Sequence, residues 1–381
     1  MRLLFLSAFL LIGSSARAQS GGAAPADSSR SPQAVPVARP ADRPSFIPLA
    51  GAFYSPETRL GIALFVTPVF RWGADTATRK STTRLLGYYT QEKQWSIQLE
   101  HSLFTPGERY AIVGNWRFYD YPIFYYGVGD DTRQADEGLV QYRLITISQR
   151  VLRRLGPAAL PTGGRRLFVG PQYVLTSLWD IDAAQAPKLL ERPARELRPT
   201  TISGAGPVLL LDTRDRLTFP AAGAYAELSA TFTGLGGDYS FARYLVDARR
   251  YIGLDHGRGR HVLAVQAVGQ FHAGEVPFRE LAPLGGISLL RGYYEGRYRG
   301  RQLLAAQAEY RFPVWRRFGA VVFGGMGDVG YTLADFDNPR PAGGAGVRFT
   351  FNRKERLNVR ADYGVGAGGS GGFYFSIGEA F

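Results

Sequence analysis

The chain has 381 residues with 45 basic and 32 acidic side chains, and its formal net charge is +13 at pH 7. It contains no cysteine, and its four histidines show no metal-ligand spacing, so disulfides, metal sites and other cofactors are not expected. Four of the 45 basic residues are lysines, and the other 41 (45 − 4) are arginines spread along the chain. Nucleic-acid-binding domains usually have a compact basic patch, so this distribution argues against a nucleic-acid partner.

The first residues are typical of a secretory signal peptide. Arg2 provides a positive start, Leu3 to Ile12 form an apolar run, and Ala16 to Ala18 form a small-x-small cleavage site, which predicts a signal peptide at 1–18. The apolar run is too short to cross a hydrocarbon core of ~30 Å as a helix, and a retained anchor is the alternative. Residues 19–45 are rich in Ala, Pro and Ser, so they predict a disordered linker ahead of a folded domain at 46–381.

The rest of the chain predicts an all-β domain, since aromatic runs are separated by glycine-rich turns and no run is long enough for a membrane helix. Apolar and polar residues alternate with period two, for example over 357–365, where Arg360 and Asp362 oppose an apolar face. The pattern predicts sixteen strands at 46–54, 58–71, 80–91, 93–104, 109–120, 138–153, 165–180, 200–213, 221–233, 239–252, 260–273, 301–313, 318–331, 342–351, 357–366 and 372–381.

An even number of strands suits a closed single-chain barrel with both ends on one side of the membrane. Closure is expected because an open sheet edge in lipid would leave backbone N–H and C=O groups unpaired. We therefore predict a transmembrane antiparallel β-barrel, crossing the outer membrane of a Gram-negative bacterium many times. The weak alternation of 138–153 and 260–273 leaves fourteen or eighteen strands as alternatives.

The lengths of the connections fit this topology. If the chain enters from the periplasm, three long connections are extracellular, at 121–137, 181–199 and 274–300. The turns near 105–108, 214–220, 314–317 and 352–356 are then periplasmic. Outer-membrane barrels usually have long extracellular loops and short periplasmic turns, so the assignment supports the predicted orientation.

The connection at 284–300 is the most distinctive of these loops. It is too rich in Gly and Arg for a strand and too rich in Leu and Tyr for a solvated linker, so it must pack against something. Inside a barrel, an arginine at its tip can bind a carboxylate on the wall. On the strand at 301–313, Tyr310 and Phe312 belong to the apolar face, so Glu309 is expected to face the lumen.

Two motifs here resemble those of the BamA/TamA-like outer-membrane assembly factors, the bacterial surface-antigen barrel family: the loop tip Leu290, Arg291, Gly292 and Tyr293, and the segment from Glu309 to Pro313. The resemblance implies that the loop folds back into the lumen and that Arg291 binds acidic residues on the following strands. It assigns Glu309 as the wall partner. The family's second acidic position is Gly325 in this chain, so Asp328 is the candidate substitute if its strand contains a bulge.

Two further segments resemble the same family. Asp212, Arg214 and Asp215 match a periplasmic turn, although a charged hairpin turn is the simpler interpretation. The C-terminal residues resemble the β-signal by which the assembly machinery recognises outer-membrane proteins: Phe373, Phe375, Ile377 and Phe381. Glu379 departs from that signal, because an apolar residue is usual there. The resemblance is specific over 200–381 and is limited to generic strands over 46–200.

The resemblance implies a barrel that assists the insertion or translocation of polypeptides at the outer membrane. Its expected surroundings are lipid and lipopolysaccharide, and its expected partners are unfolded outer-membrane proteins or a periplasmic accessory protein. The family has a weak lateral seam between its first and last strands, and here Pro48 and Gly51 in the first strand and Gly378 in the last would weaken that pairing.

Other functions stay open at this point. The linker is too short for the periplasmic POTRA domains of larger family members, so a passive pore or a single-partner secretion conduit without insertase activity is the main alternative. A surface-adhesion barrel is a third. No enzymatic activity is expected, because the Gly-x-Ser-x-Gly pattern at 368–372 lies in a glycine-rich hairpin and not at a strand-to-helix elbow.

Overall fold

The structure is a computed structural model that describes residues 44–381 apart from 56–58, 74–77, 157–165, 218, 256–259 and 353–355. The signal peptide expected at 1–18 and nearly all of the linker expected at 19–45 lie outside the described residues. The strands are β1 (Ser45–Ser55), β2 (Arg59–Phe70), β3 (Ser81–Thr90), β4 (Trp95–Phe104), β5 (Tyr110–Asp120), β6 (Ile123–Tyr125), β7 (Gly138–Leu155), β8 (Leu167–Gln185), β9 (Thr200–Asp212), β10 (Gly223–Thr233), β11 (Phe241–Gly253), β12 (Val262–Gly274), β13 (Ala282–Leu284), β14 (Tyr298–Gly300), β15 (Gln302–Trp315), β16 (Phe318–Gly330), β17 (Arg340–Asn352), β18 (Leu357–Gly366) and β19 (Gly371–Ile377).

Helical structure is limited to short connections. They are the α-helix α1 (Pro187–Leu190) and the 3-10 turns Pro106–Glu108, Gln134–Asp136, Ala194–Leu197, Leu333–Asp335 and Ala367–Gly369. In the part of the chain that the structure describes, no helix has the length and apolar character needed to cross a membrane.

The long strands form one antiparallel sheet in chain order. Each pairs with the next, β5 pairs with β7 and β12 pairs with β15, so that the sheet has seventeen strands when the three-residue β6 is included. The other sixteen described strands of the sheet are the barrel strands, which confirms the predicted all-β antiparallel barrel. The Cα atoms of β1 and β19 come within 8 Å of each other, so the first and last strands lie side by side.

The faces of the sheet have the polarity of a membrane barrel. On β18, Tyr363 and Val365 point outward and are 46% and 47% exposed, while Arg360 and Asp362 point inward and are 2% and 1% exposed. A water-soluble sheet would place its charged face outward instead. The apolar residues of the alternating pattern therefore form the outer surface of the barrel, and the charged residues line its lumen.

The end of the barrel opposite the start of β1 carries its own packed core. β7 and β8, with 18 and 19 residues, are longer than the other strands and extend beyond them at this end. Tyr125, Leu189 and Phe278, from three different connections, are buried together with residues of these two strands. This cluster includes Phe278 of the connection that follows β12. The connection therefore has apolar contacts at this end of the barrel as well as contacts in the lumen.

Candidate functional site

The loop between β13 and β14 occupies the lumen beside β15 and β16. Leu284, Leu290 and Tyr293 form a buried cluster with Leu303 and Val329 on the inner faces of these strands. β13 and β14 pair with each other and form the base of the loop. The apolar residues that made this segment unsuitable as a solvated linker therefore pack against the barrel wall.

Glycines let the loop tip approach the wall closely. Gly292 has φ of +128°, and a Cβ there would lie 2.5 Å from the backbone of Val365 on β18. On β18 itself, a Cβ at Gly364 would lie 2.5 Å from the carbonyl oxygen of Arg291, and one at Gly366 would meet the ring of Tyr293 at the same distance. The tip and this strand are thus matched, because each presents glycine where the other requires space.

Hydrogen bonds fix the tip against three strands. The Gly292 N–H donates to the Tyr374 hydroxyl at 3.0 Å, and that hydroxyl donates to the carbonyl oxygen of Tyr293 at 3.1 Å. The Tyr293 hydroxyl donates to the Pro341 carbonyl at 2.7 Å. On the other side, Gln307 of β15 accepts from the Leu290 N–H at 3.2 Å. Three backbone groups of the tip, the N–H groups of Leu290 and Gly292 and the carbonyl of Tyr293, are therefore hydrogen-bonded to the wall.

Arg291 connects the loop to two carboxylates on strands that are not neighbours. Its Nη2 lies 2.5 Å from Oε1 of Glu309 on β15, and its Nη1 lies 2.5 Å from Oδ2 of Asp362 on β18. All three side chains are fully buried, and the guanidinium carbon lies 3.6 Å from the centre of the Phe323 ring on β16. One side chain thus contacts three strands of the wall, β15, β16 and β18.

The structure brings Arg291 and Glu309 together, as the sequence predicted, but the second carboxylate differs from the expectation. Asp328 accepts hydrogen bonds from the Val329 and Asn338 N–H groups, and the described contacts of Arg291 do not include it. Its odd spacing from Gly325 places it on the other face of β16, and that strand pairs with β15 without a bulge at this point. Asp362 holds the position that was assigned to Asp328. The alternation of β18 had already placed Asp362 inside, so this signal was available in the sequence.

More arginines surround the two carboxylates. Arg311 donates to Glu309 at 3.2 Å, and Arg348 and Arg360 contact Asp362 at 2.5 and 3.3 Å. Arg360 also donates to the carbonyl oxygen of Ile287 in the loop at 2.8 Å. The charges form one buried network that joins the loop to β15, β17 and β18.

The turn after β9 forms a second charge cluster at the end of the barrel where β1 begins. Asp212 accepts from Arg214 at 2.9 Å and from Arg79 at 2.7 Å, while Asp215 accepts from the Ala221 N–H at 2.8 Å. The same Arg79 also binds Glu108, which is 2% exposed. Sequence reasoning found the aspartates but missed Arg79 and Glu108, because 133 residues separate Arg79 from Asp212.

The C-terminal residues do not form a continuous strand to the end of the chain. Phe373 is 62% exposed on the outer face, and Phe375 and Ile377 follow in register with β18, but β19 ends at Ile377. The prediction of a strand over 372–381 was therefore wrong for its last four residues. Gly378 has φ of +88°, which turns the chain inward, so Phe381 is buried in the lumen.

Of the residues assigned to the seam, Pro48 and Gly51 lie in β1, whereas Gly378 lies just beyond the end of β19 at the turn into the lumen. Pro48 and Gly51 of β1 are in register with Val66 and Ala63 of β2. Within the described part of the chain, β1 forms its backbone ladder with β2, β19 forms its ladder with β18, and no ladder joins β1 to β19.

Comparison with known proteins identifies the family. The model of the Omp85 superfamily domain matches residues 140–381. The chain belongs to the Omp85 superfamily. It is an outer-membrane β-barrel, and the segment matched includes the lumenal loop, its wall partners and the C-terminal strand. A search of curated protein sequences finds no significant match.

Solved structures of Omp85-type proteins share the fold. BamA from Haemophilus ducreyi lacking POTRA domains 1–3 superposes with a TM-score of 0.56 at 15% identity, over 88% of this chain and 70% of that one. CdiB from Acinetobacter baumannii gives 0.57 at 12% identity, over 87% and 59%, and CdiB from Escherichia coli gives 0.56 at 12%, over 86% and 61%. This Omp85 chain thus spans less than two thirds of either CdiB.

Proposed function

We propose that this Omp85 barrel assists the insertion or translocation of polypeptides at the outer membrane, and that its lateral seam is the gate. The observation that carries the proposal is the contrast between the two sides of β1, which forms a ladder with β2 and none with the adjacent β19 in the described residues. A strand edge with free backbone groups can pair with an incoming strand of almost any sequence. The clients would be unfolded outer-membrane proteins, in a setting of lipid and lipopolysaccharide.

The lumenal network supports the same proposal. A seam that opens needs the rest of the wall to remain intact, and Arg291 joins β15 to β18 through Glu309 and Asp362. Buried ion pairs define a unique arrangement in some proteins, and we infer that role for this network. We therefore assign Leu290, Arg291, Gly292 and Tyr293 to holding the wall, and the cluster around Asp212 to holding the turns at the periplasmic end.

Crosslinking tests the gate. The chain has no cysteine, so Ala50→Cys with Ser376→Cys introduces only two thiols, one on each side of the seam. We expect the oxidised protein to lose its ability to accelerate folding of a second barrel into liposomes, and reduction to restore it. Ala50→Cys with Leu64→Cys is the matched control, since residues 50 and 64 are register partners across the β1–β2 ladder. Full activity of the locked seam would reject the proposal.

A second function, a pore or a conduit for one secreted partner, is favoured by the lumen beside the loop. A cavity of about 1190 Å³ remains there, and Arg84, Arg117, Arg150 and Arg243 are among its lining residues. If the barrel is a pore, Arg291→Ala should raise the single-channel conductance in planar bilayers because the loop loosens. If the barrel is an assembly factor, the same change should lower activity in the liposome assay instead.

A further inference from the structure

Nine arginines line the cavity of about 1190 Å³ beside the loop, and most of them are paired with carboxylates. Arg150 contacts Glu227 at 2.8 Å, for example, and seven of the nine form ion pairs of this kind. The other two are Arg117 and Arg279. Among the described residues, neither of them has a carboxylate oxygen within 4 Å of its guanidinium nitrogens.

The contacts of these two arginines are with neutral groups. Arg117 on β5 donates from its Nε to the side-chain oxygen of Asn115 at 2.8 Å. The guanidinium carbon of Arg279, in the connection after β12, lies 5.4 Å from the centre of the Tyr142 ring on β7. Neither contact supplies a negative charge, so both guanidinium groups face the cavity with their charge uncompensated by these neighbours.

A third arginine adds to the positive charge at this place. Arg299 on β14 is 1% exposed, and its Nε and Nη1 are buried without a hydrogen-bond partner in the part of the chain that the structure describes. Its charge interacts with the like charge of Arg279, and this repulsion disfavours the arrangement. Gly296 makes room for the group, because a Cβ there would lie 2.3 Å from Nη2 of Arg299. The loop therefore holds a buried, unpaired arginine close to the cavity.

One carboxylate of the loop is shared by all three arginines. Glu295 interacts electrostatically with Arg117, with Arg279 and with Arg299. A single negative charge offsets one of the three positive charges. An uncompensated charge in a buried site is strongly unfavourable, so the remaining two favour the binding of an anion.

Two other carboxylates are within electrostatic range, but each has an arginine of its own. Glu280 accepts from Arg243 at 3.2 Å, and Glu100 contacts Arg84 at 2.9 Å. The formal charge of the three arginines and Glu295 is therefore 3 − 1 = +2. A phosphate group carries about −1.5 to −2 charges at neutral pH and has three acceptor oxygens, whereas a carboxylate carries only one charge. Phosphate thus matches both the charge and the several donors of the site.

We propose that Arg117 and Arg279 form a lumenal binding site for a phosphate group, either free or carried by a soluble molecule, and that Arg299 stabilises the bound charge. Because both arginines line the cavity inside the barrel, the ligand enters from the aqueous lumen and not from the lipid face. The bound group joins β5 to the connection after β12, and its attraction to Arg299 favours the lumenal position of the loop. The proposal does not depend on whether the barrel inserts proteins or conducts them.

Isothermal titration calorimetry of the folded barrel in detergent micelles tests the site with inorganic phosphate, at an ionic strength held constant with sodium chloride. We expect saturable binding of one phosphate per barrel. Binding should weaken by at least about tenfold in Arg279→Gln and in Arg117→Gln, because each change removes charge-assisted hydrogen bonds. Arg143→Gln is the matched control, since it removes the same charge next to Tyr142 from a side chain that is 48% exposed, and it should leave the affinity unchanged. Absence of saturable binding to the wild type, or an equal loss in the control, would overturn the proposal.

Urea unfolding gives a readout that remains valid if a variant is less stable. Phosphate should raise the unfolding midpoint of the wild type relative to chloride at the same ionic strength, because it binds the folded state. The increase should be absent in Arg279→Gln and smaller in Arg279→Lys, which keeps the charge but loses the planar fork of donors. An increase of equal size in all three proteins would show that Arg279 does not bind the phosphate.

Glycerol 3-phosphate distinguishes the two sources of the phosphate group in the same titration. Binding as tight as that of inorganic phosphate, or tighter, would support a phosphate carried by a larger soluble molecule. Binding of inorganic phosphate alone would support the free ion. Binding of neither compound would overturn the proposal.

Discussion

Replacing Arg291 with alanine tests how much the loop depends on one buried side chain. The substitution removes the contacts to Glu309 and Asp362, all of them inaccessible to solvent. Breaking a buried ion pair by removing one partner costs about 3–5 kcal/mol. Glu309 keeps Arg311, and Asp362 keeps Arg348 and Arg360, so we expect the lower end, about 3 kcal/mol, or roughly a hundredfold in the unfolding equilibrium.

Urea unfolding in detergent micelles, followed by tryptophan fluorescence, measures this loss. Arg143→Ala is the matched control, because Arg143 also contacts two carboxylates, Asp120 and Asp180, but its side chain is 48% exposed. An exposed pair is worth about 0–1 kcal/mol, so the control should change little. Equal effects of the two substitutions, both below about 1 kcal/mol, would refute the argument that burial makes the Arg291 contacts important.

The other predictions concern the same loop and its wall. Gly292→Ala should cost more than about 2 kcal/mol in the same unfolding assay, because the new Cβ meets the β18 backbone at 2.5 Å and φ is +128°. Tyr293→Phe should cost about 1–2 kcal/mol, since it removes the hydroxyl that bonds to two backbone groups. Asp362→Asn should increase protease cleavage within the loop, whereas Asp328→Asn should not. Faster cleavage in Asp328→Asn than in Asp362→Asn would contradict the assignment of Asp362 as the second carboxylate. Asp212→Asn should destabilise the barrel without releasing the loop, because its partners lie in the turns at the other end.

Most of the correct predictions came from local patterns in the sequence. Period-two alternation gave the strands and their faces, as on β18, because each residue's side is fixed by its position in an extended chain. The loop tip was recognisable since Arg291 and Gly292 occur in a segment that is unsuitable for any regular element. The parity of its strand placed Glu309 in the lumen, and the family resemblance gave its role as the partner of Arg291.

The errors came from contacts between distant segments. Asp362 lies 71 residues from Arg291, and only the curvature of the wall brings them together. The terminal strand was predicted to continue to Phe381, because alternation does not reveal that Gly378 adopts a positive φ. The lumenal position of Glu379 follows from that turn. Its carboxylate is a buried charge that accepts from Arg348 Nε at 2.8 Å.

Hydrogen exchange of the loop, measured by mass spectrometry, shows whether the loop is anchored inside the barrel. The amides of Gly286, Gly292 and Gly296 donate to Tyr293, Tyr374 and Leu284 inside the barrel. We expect peptides from 285–297 to exchange as slowly as the barrel strands in the wild-type protein, and much faster in Arg291→Ala. Complete exchange of these peptides within seconds in the wild type would mean that the loop is not anchored in the lumen.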